Sequence, residues 1–184
     1  MWEPIGKVTV DFELMIKDTD WVNFAGGTNW HGRQARKDHE LEGTTVGNEA
    51  DKIINLISDG SWHYVLNRTL NYNITKPHKD WGYEVPWDRY TWNLKDKVIE
   101  ESSRQDKLEL AKKWRRFWIP MRDREFGQFF ESAHGILSDW KAGDIFNLPA
   151  NEYHAGATVG FDDRYTMLVE GFKDSLNEDF QNLV

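Results

Sequence analysis

Asp144-Ile145-Phe146-Asn147-Leu148, Tyr153-His154-Ala155-Gly156-Ala157-Thr158-Val159 and Arg164-Tyr165-Thr166-Met167-Leu168-Val169-Glu170-Gly171-Phe172 lie close together near the end of the chain, with Pro149-Ala150-Asn151 and Asp162-Asp163 in the gaps. Short runs rich in β-branched and aromatic residues, separated by turn residues, read as strands. The same grammar extends backwards. Phe117 to Phe130, Arg89 to Leu94 and Trp62 to Ile74 read as strands, and Lys7 to Ile16 alternates well enough for a first one. The chain is therefore expected to be mainly β, and many short strands at this spacing imply a sandwich or a small barrel.

Other segments frame that core. Ala50 to Ser58 has helical spacing, with Ile53, Ile54 and Ile57 on one face. Asn23 to Asn48 is rich in Gly, Asn and charge and reads as a long loop or lid. Lys95 to Trp114 is charged and helix-favouring, with only Leu108 and Ala111 as an apolar stripe, and reads as an exposed helical insertion. After Lys173 the sequence is polar, suiting a short helix or a tail. At 184 residues the expectation is one domain, 1–184, with an N-terminal strand, loop and helix in 1–60 and the β core in 61–172.

Composition removes several functions. The net charge of −8 argues against a nucleic-acid groove, which needs a clustered positive field. Lys112, Lys113, Arg115, Arg116, Arg122 and Arg124 crowd together, but read best as a solvated helix end and strand rim. With no cysteine, disulfides and thiolate metal sites are excluded, so any metal must sit on His, Asp or Glu. The N-terminus shows neither the basic region nor the apolar run of a signal peptide, and no stretch reaches the length of a membrane span. A soluble, cytoplasmic protein is expected, with no nucleic-acid or membrane partner.

Two places carry candidate chemistry. Residues two apart on a strand point to the same side, so His78 and Asp80 can present an imidazole and a carboxylate to one point. A second histidine from a distant strand, His154, completes two nitrogens and one oxygen on one side of a metal, the arrangement that leaves open positions in non-haem Fe(II) oxygenases. Ten positions after His154 stands Arg164, and no arginine follows His31, His39, His63 or His134 at that spacing. Arg164, Thr166 and Leu168 share one face of the last strand, and Tyr165, Met167 and Val169 share the other. A guanidinium and a hydroxyl on one face suit a carboxylate clamp. Ala155 and Gly156 are small and leave room beside the metal.

These residues carry a resemblance. From His78 to Gly171, about half the chain, the sequence resembles the Fe(II)- and 2-oxoglutarate-dependent dioxygenases, and is most similar to the branch of aspartyl/asparaginyl β-hydroxylases and small prolyl hydroxylases. The matching residues are Arg116-Phe117-Trp118-Ile119-Pro120, then Asp139-Trp140-Lys141-Ala142-Gly143-Asp144, then His154, Arg164 and Thr166. The resemblance implies a double-stranded β-helix, a jelly-roll related to the cupins, with a few flanking helices. It implies His78, Asp80 and His154 as iron ligands, and Arg164 with Thr166 as holders of the C5 carboxylate of 2-oxoglutarate. Fe(II), 2-oxoglutarate and O2 would together convert a C–H bond to an alcohol, releasing succinate and carbon dioxide, with no catalytic residue beyond the metal centre. Aspartyl β-hydroxylases proper often lack the carboxylate ligand, so Asp80 points towards the prolyl-hydroxylase-like members and away from halogenases.

The family branch implies an amino acid, free or in a peptide, as substrate. Tyr64, Arg68, Trp81, Trp87, Arg116, Trp118 and Arg122 are the candidates to line the mouth. Two other readings stay open at this point. Ten tryptophans on a jelly-roll would suit a non-catalytic carbohydrate-binding or structural module, stacking indoles on sugar rings. A metal cupin that does not use 2-oxoglutarate would keep the histidines, but Arg164 and Thr166 count against that version.

Overall fold

The computed structural model describes residues 2–23, 33–78, 112–148 and 153–183. Eleven strands can be followed: β1 (Gly6–Lys7), β2 (Val22–Asn23), β3 (Arg33–Lys37), β4 (His63–Thr69), β5 (Asn73–His78), β6 (Trp114–Pro120), β7 (Gln128–Ser132), β8 (Gly135–Leu137), β9 (Asp144–Asn147), β10 (His154–Thr158) and β11 (Arg164–Phe172). Among the helices are α1 (Phe12–Asp18), α2 (Asp38–Leu41) and α3 (Thr45–Ile57). A seven-stranded sheet has the order β1-β9-β6-β11-β4-β3-β2, and a four-stranded sheet the order β5-β10-β7-β8.

The order itself identifies the architecture. Within β4 to β11, first pairs with last, second with seventh, third with sixth and fourth with fifth, all antiparallel. Four concentric pairs shared between two sheets make a jelly-roll, the double-stranded β-helix. The strands β1, β2 and β3 extend the larger sheet at its two edges.

Alternation along the larger sheet sends side chains to two environments. Tyr64 and Leu66 of β4, Phe117 and Ile119 of β6, and Met167 and Val169 of β11 face outwards. They pack against Phe12, Met15 and Ile16 of α1 and against Ile53, Ile54 and Ile57 of α3. Burying each such side chain is worth about 1.5–3 kcal/mol. A second cluster lies between the sheets: Trp118 stacks on Phe130 at 5.6 Å and meets Trp140 edge-on at 5.2 Å.

Three expectations need correction. The strand expected over Lys7 to Ile16 shrinks to β1, because Asp11 caps a helix by accepting from the Leu14 N–H at 2.9 Å. Phe12, Met15 and Ile16 then fall on one buried helical face. The loop expected over Asn23 to Asn48 contains β3, α2 and the start of α3, which opens at Thr45 under the Thr44 cap rather than at Ala50. Neither long strand is continuous. Trp62 to Ile74 breaks at 70–72 into β4 and β5, and Phe117 to Phe130 breaks at 121–127 into β6 and β7. The final strand runs Arg164–Phe172, as the sequence predicts. The strand expected over 89–94 and most of the insertion expected over 95–114 lie outside the described residues. No helix among the described residues is long and apolar enough to cross a membrane.

Candidate functional site

The inner face of β11 supplies the clamp. Arg164 and Thr166 are 8% and 5% exposed, and with Leu168 they line a cavity between the sheets. Across the ladder, Arg164 stands opposite Thr69 and Thr166 opposite Asn67, so β4 contributes polar neighbours to the same wall. The Arg164 side chain crosses to the smaller sheet, where Nη1 donates to the Phe129 carbonyl at 3.0 Å. Its Nε is buried without a hydrogen-bond partner among the described residues. Such a group is costly to leave unmet and marks a place where an acceptor belongs. Burial first, and then the nearby Arg33, pull the Arg164 pKa down to about 10, so it is still a cation at neutral pH. Gly156 makes this crossing possible: a Cβ there would lie 3.1 Å from both Nη atoms.

His154 begins β10 in the facing sheet, is 6% exposed and stacks on Phe130 at 5.4 Å and 26°. Its Cα partner on β5 is His78. That pairing depends on an irregularity. Thr158, Ala157 and Gly156 face Asn73, Ile74 and Thr75 in regular register, which continued unbroken would set Pro77 opposite His154. Proline has no N–H to give the ladder, and the register shifts there, bringing His78 to the rung. The backbone thus sets two histidines, far apart in sequence, opposite one another. The expected carboxylate ligand, Asp80, lies outside the described residues, and among those described no group of three His, Asp or Glu side chains stands together. Imidazole suits Fe(II), so His154 is of a type that could serve as a metal ligand.

The candidate substrate residues divide. Arg116 and Trp118 line the cavity, with Arg116 2% exposed and its Nε 3.4 Å from Glu170. Tyr64 and Arg68 do not, and this corrects the expectation: even-numbered residues of β4 face away from it. Tyr64 is buried under the helices, and Arg68 is taken by Asp163 at 2.7 Å. Arg122 is likewise engaged elsewhere, by Glu13 at 2.8 and 2.7 Å. Trp81 and Trp87 lie outside the described residues. Sequence reading missed Arg33, Asn67, Thr69 and Thr75, all of which line the cavity. Asn67 and Thr69 were within reach, since alternation from Tyr64 puts them on the opposite face. Arg33 was not, because its place depends on pairing between β3 and β4.

No protein-family model matches the chain, and no curated protein matches it. Solved structures similar to it include the following three. The polyketide cyclase RemF from Streptomyces resistomycificus has 10% identity and a TM-score of 0.43, covering 90% of this chain and 87% of its own. KdgF from Halomonas sp. has 10% identity and a TM-score of 0.42, covering 86% and 93%. A cupin-like protein of Thermotoga maritima has 11% identity and a TM-score of 0.40, covering 90% and 96%. The jelly-roll assignment stands on the strand pairing described above. The described tryptophans, Trp2, Trp21, Trp62, Trp114, Trp118 and Trp140, are all buried or half-buried, which removes them as an exposed sugar-stacking surface.

Proposed function

We propose that this chain, 1–184 acting as one domain, is an Fe(II)- and 2-oxoglutarate-dependent oxygenase that hydroxylates an unactivated C–H bond, with an amino acid, free or in a peptide, as substrate. The observation that carries the reading is Arg164. A buried guanidinium with an unmet Nε, beside the Thr166 hydroxyl and facing the sheet of His154, is a receptor for a carboxylate. In a metal cupin working without 2-oxoglutarate, Arg164 would need an anionic substrate in its place.

In this reading Arg164 and Thr166 hold the C5 carboxylate of 2-oxoglutarate and so orient the molecule towards His154. When bound, Fe(II) would supply activation of O2 for the coupled conversion of 2-oxoglutarate to succinate and carbon dioxide. The protein supplies the rest. Trp118, Phe130, Leu148 and Leu168 make the apolar wall that excludes water, and the His154 ring is fixed against Phe130. No side chain needs to act as a general base.

Thermal unfolding of metal-free protein under anaerobic conditions tests this, first with Fe(II) or Mn(II) and then with 2-oxoglutarate. A ligand that binds only the folded state raises its stability by mass action. A metal-dependent rise in Tm that grows with 2-oxoglutarate is expected. A metal rise that 2-oxoglutarate leaves unchanged would support the cupin alternative, and no response to either would sink the oxygenase.

A further inference from the structure

Three aromatic rings stand in water at one end of the molecule. Tyr72, Phe126 and Phe161 are 73%, 80% and 83% exposed. Each belongs to a different loop: 70–72 between β4 and β5, 121–127 between β6 and β7, and 159–163 between β10 and β11. β10 starts at His154 and ends at Thr158, which stands opposite Asn73 of β5 and Gln128 of β7. The three loops therefore gather at the end of the jelly-roll away from His154.

The loops are knitted to one another. Asn71 Nδ2 donates to the Phe161 carbonyl at 3.2 Å, and the Val159 N–H donates to the Gly127 carbonyl at 3.0 Å. Gly160 lies so close to the neighbouring loop that a Cβ on it would collide with the Phe126 carbonyl oxygen. Tyr72 holds a φ of 59°, a region that a bulky residue seldom takes. Exposed Ile74 and Val159 carry the apolar surface on to the smaller sheet. A contiguous apolar patch left in water marks an interaction site, and side chains presented by a braced backbone lose little freedom on binding.

The charge beside the patch says what would cover it. A groove of about 350 Å3 opens between the same loops and α1, and its described lining carries Glu13, Asp123, Glu125, Asp162 and Asp163 against Arg122 and Arg164. Three of those carboxylates are matched: Glu13 by Arg122, Asp123 by Lys141 and Asp163 by Arg68. Glu125 and Asp162 are exposed and make no ion pair among the described residues. They are the chain neighbours of Phe126 and Phe161, so each exposed ring stands next to an unmatched carboxylate. A Lys or Arg side chain is drawn to both partners at once, to the carboxylate by charge and to the ring face by its quadrupole.

We infer that this end of the jelly-roll is a docking surface for a segment of another protein in which Lys or Arg alternates with apolar residues. An anionic bilayer would meet the same carboxylates and a chain of net charge −8, and a second copy would bring like charge to like. An occupant here leaves the mouth at His154 clear.

The test is a selection from random dodecapeptides displayed on phage. The full chain is the bait, and the library is first depleted on Phe126→Ser/Phe161→Ser protein. Peptides that combine Lys or Arg with apolar residues should be enriched. By fluorescence anisotropy, the double serine variant and Glu125→Gln/Asp162→Asn should each bind the enriched peptides at least about tenfold more weakly than the wild type. Both variants change exposed side chains and should keep the wild-type Tm. Ile136→Ser, an exposed apolar position near the His154 end, should leave the affinity unchanged. No enriched peptide, enriched peptides without positive charge, or affinities that Glu125→Gln/Asp162→Asn does not alter would each overturn the inference. Co-sedimentation with phosphatidylcholine and phosphatidylserine vesicles, or self-association in sedimentation velocity, would also overturn it if lost in the double serine variant, by giving the patch to a bilayer or to a second copy. If the double serine variant fails to fold, depletion on Glu125→Gln/Asp162→Asn replaces it and that variant's affinities decide.

Discussion

Met167 and Val169 of β11 are wholly buried beneath α1 and α3, while Arg164 and Thr166 of the same strand turn into the cavity between the sheets. On β4 the division repeats, with Tyr64 and Leu66 on the helix side and Asn67 and Thr69 on the cavity side. Both faces are shielded from water, yet one is filled with hydrocarbon and the other with guanidinium, amide and hydroxyl groups. Burying polar groups without purpose is costly, and packing alone would have favoured apolar residues on both faces. The contrast separates what holds the protein together from what it is built to hold. Substitutions on the helix face should cost stability and spare binding, and those on the cavity face should do the reverse.

The largest effect is expected on the helix face. Leu66 is wholly buried, and Leu66→Ala removes its contacts and leaves a cavity under α1 and α3. Urea unfolding should show a loss of about 3 kcal/mol, within the range of about 2–5 kcal/mol for such truncations. The affinity of the surviving folded protein for 2-oxoglutarate should hardly change. A large affinity loss here would mean that the two faces are coupled.

Arg164→Met inverts the pattern. Removing a buried cation whose Nε has no partner among the described residues should leave stability equal or raise it, since buried charge is replaced by apolar volume. Affinity for 2-oxoglutarate should fall by at least about 30-fold, or roughly 2 kcal/mol, as expected when one partner of a buried charge pair is cut away. Titration calorimetry of the Mn(II)-loaded protein measures it. An unchanged affinity would remove Arg164 from the clamp.

Two glycines sharpen the same comparison with a single methyl group each. At Gly156 a Cβ would press on both Nη atoms of Arg164 at 3.1 Å, a flexible group that can shift. Gly156→Ala should therefore weaken 2-oxoglutarate binding about fivefold, near 1 kcal/mol, with little loss of stability. At Gly171 a Cβ would meet the Trp62 ring at 2.5 Å, and that indole is packed on Phe117 at 5.2 Å. Gly171→Ala should cost about 1–3 kcal/mol of stability through overpacking and leave binding alone. Equal effects of both on affinity would argue for general loosening rather than displacement of Arg164.

The legible parts of the sequence were those where local pattern and tertiary role agree. β11 has a regular alternation of two environments, and its ends were read correctly for that reason. The α1 segment misled because Val8, Val10, Phe12 and Leu14 alternate like a strand, although Asp11 as a cap and the spacing of Phe12, Met15 and Ile16 carried the opposing signal. β3 was hidden by its composition. Its Arg33-Gln34-Ala35-Arg36-Lys37 has no apolar face, since the side facing the cavity carries an arginine instead of a core residue. The backbone placement of His78 opposite His154 agrees with the expectation that the two come together, but the register shift that sets it was not legible, beyond the hint of Pro77 within a strand.

The smallest expected effect lies at the rim. His63 Nδ1 and Asp38 Oδ2 are 2.6 Å apart, joining β4 to α2 beside the larger sheet. The Asp38 bond raises the His63 pKa above its usual 6.5, against an opposing pull from burial. Burial pushes the Asp38 carboxyl up, but bonds from His63 and the His39 N–H together hold it below its usual 3.8. His63, with its raised pKa, stabilises the fold fully below about 6.5 and loses that contribution as pH rises through the raised value. Asp38, with its lowered pKa, contributes above about 3.8 and loses it as pH falls. The pair is therefore fully effective between those limits. With His63 33% and Asp38 21% exposed, solvent screening holds its worth to about 1 kcal/mol or less. Urea unfolding of the wild-type protein and His63→Gln across pH 5 to 9 should show the largest difference near pH 5–6, shrinking as pH rises. A difference flat across that range would mean that His63 stabilises the rim by packing rather than by charge, and would place it with the helix-side residues in its energetics.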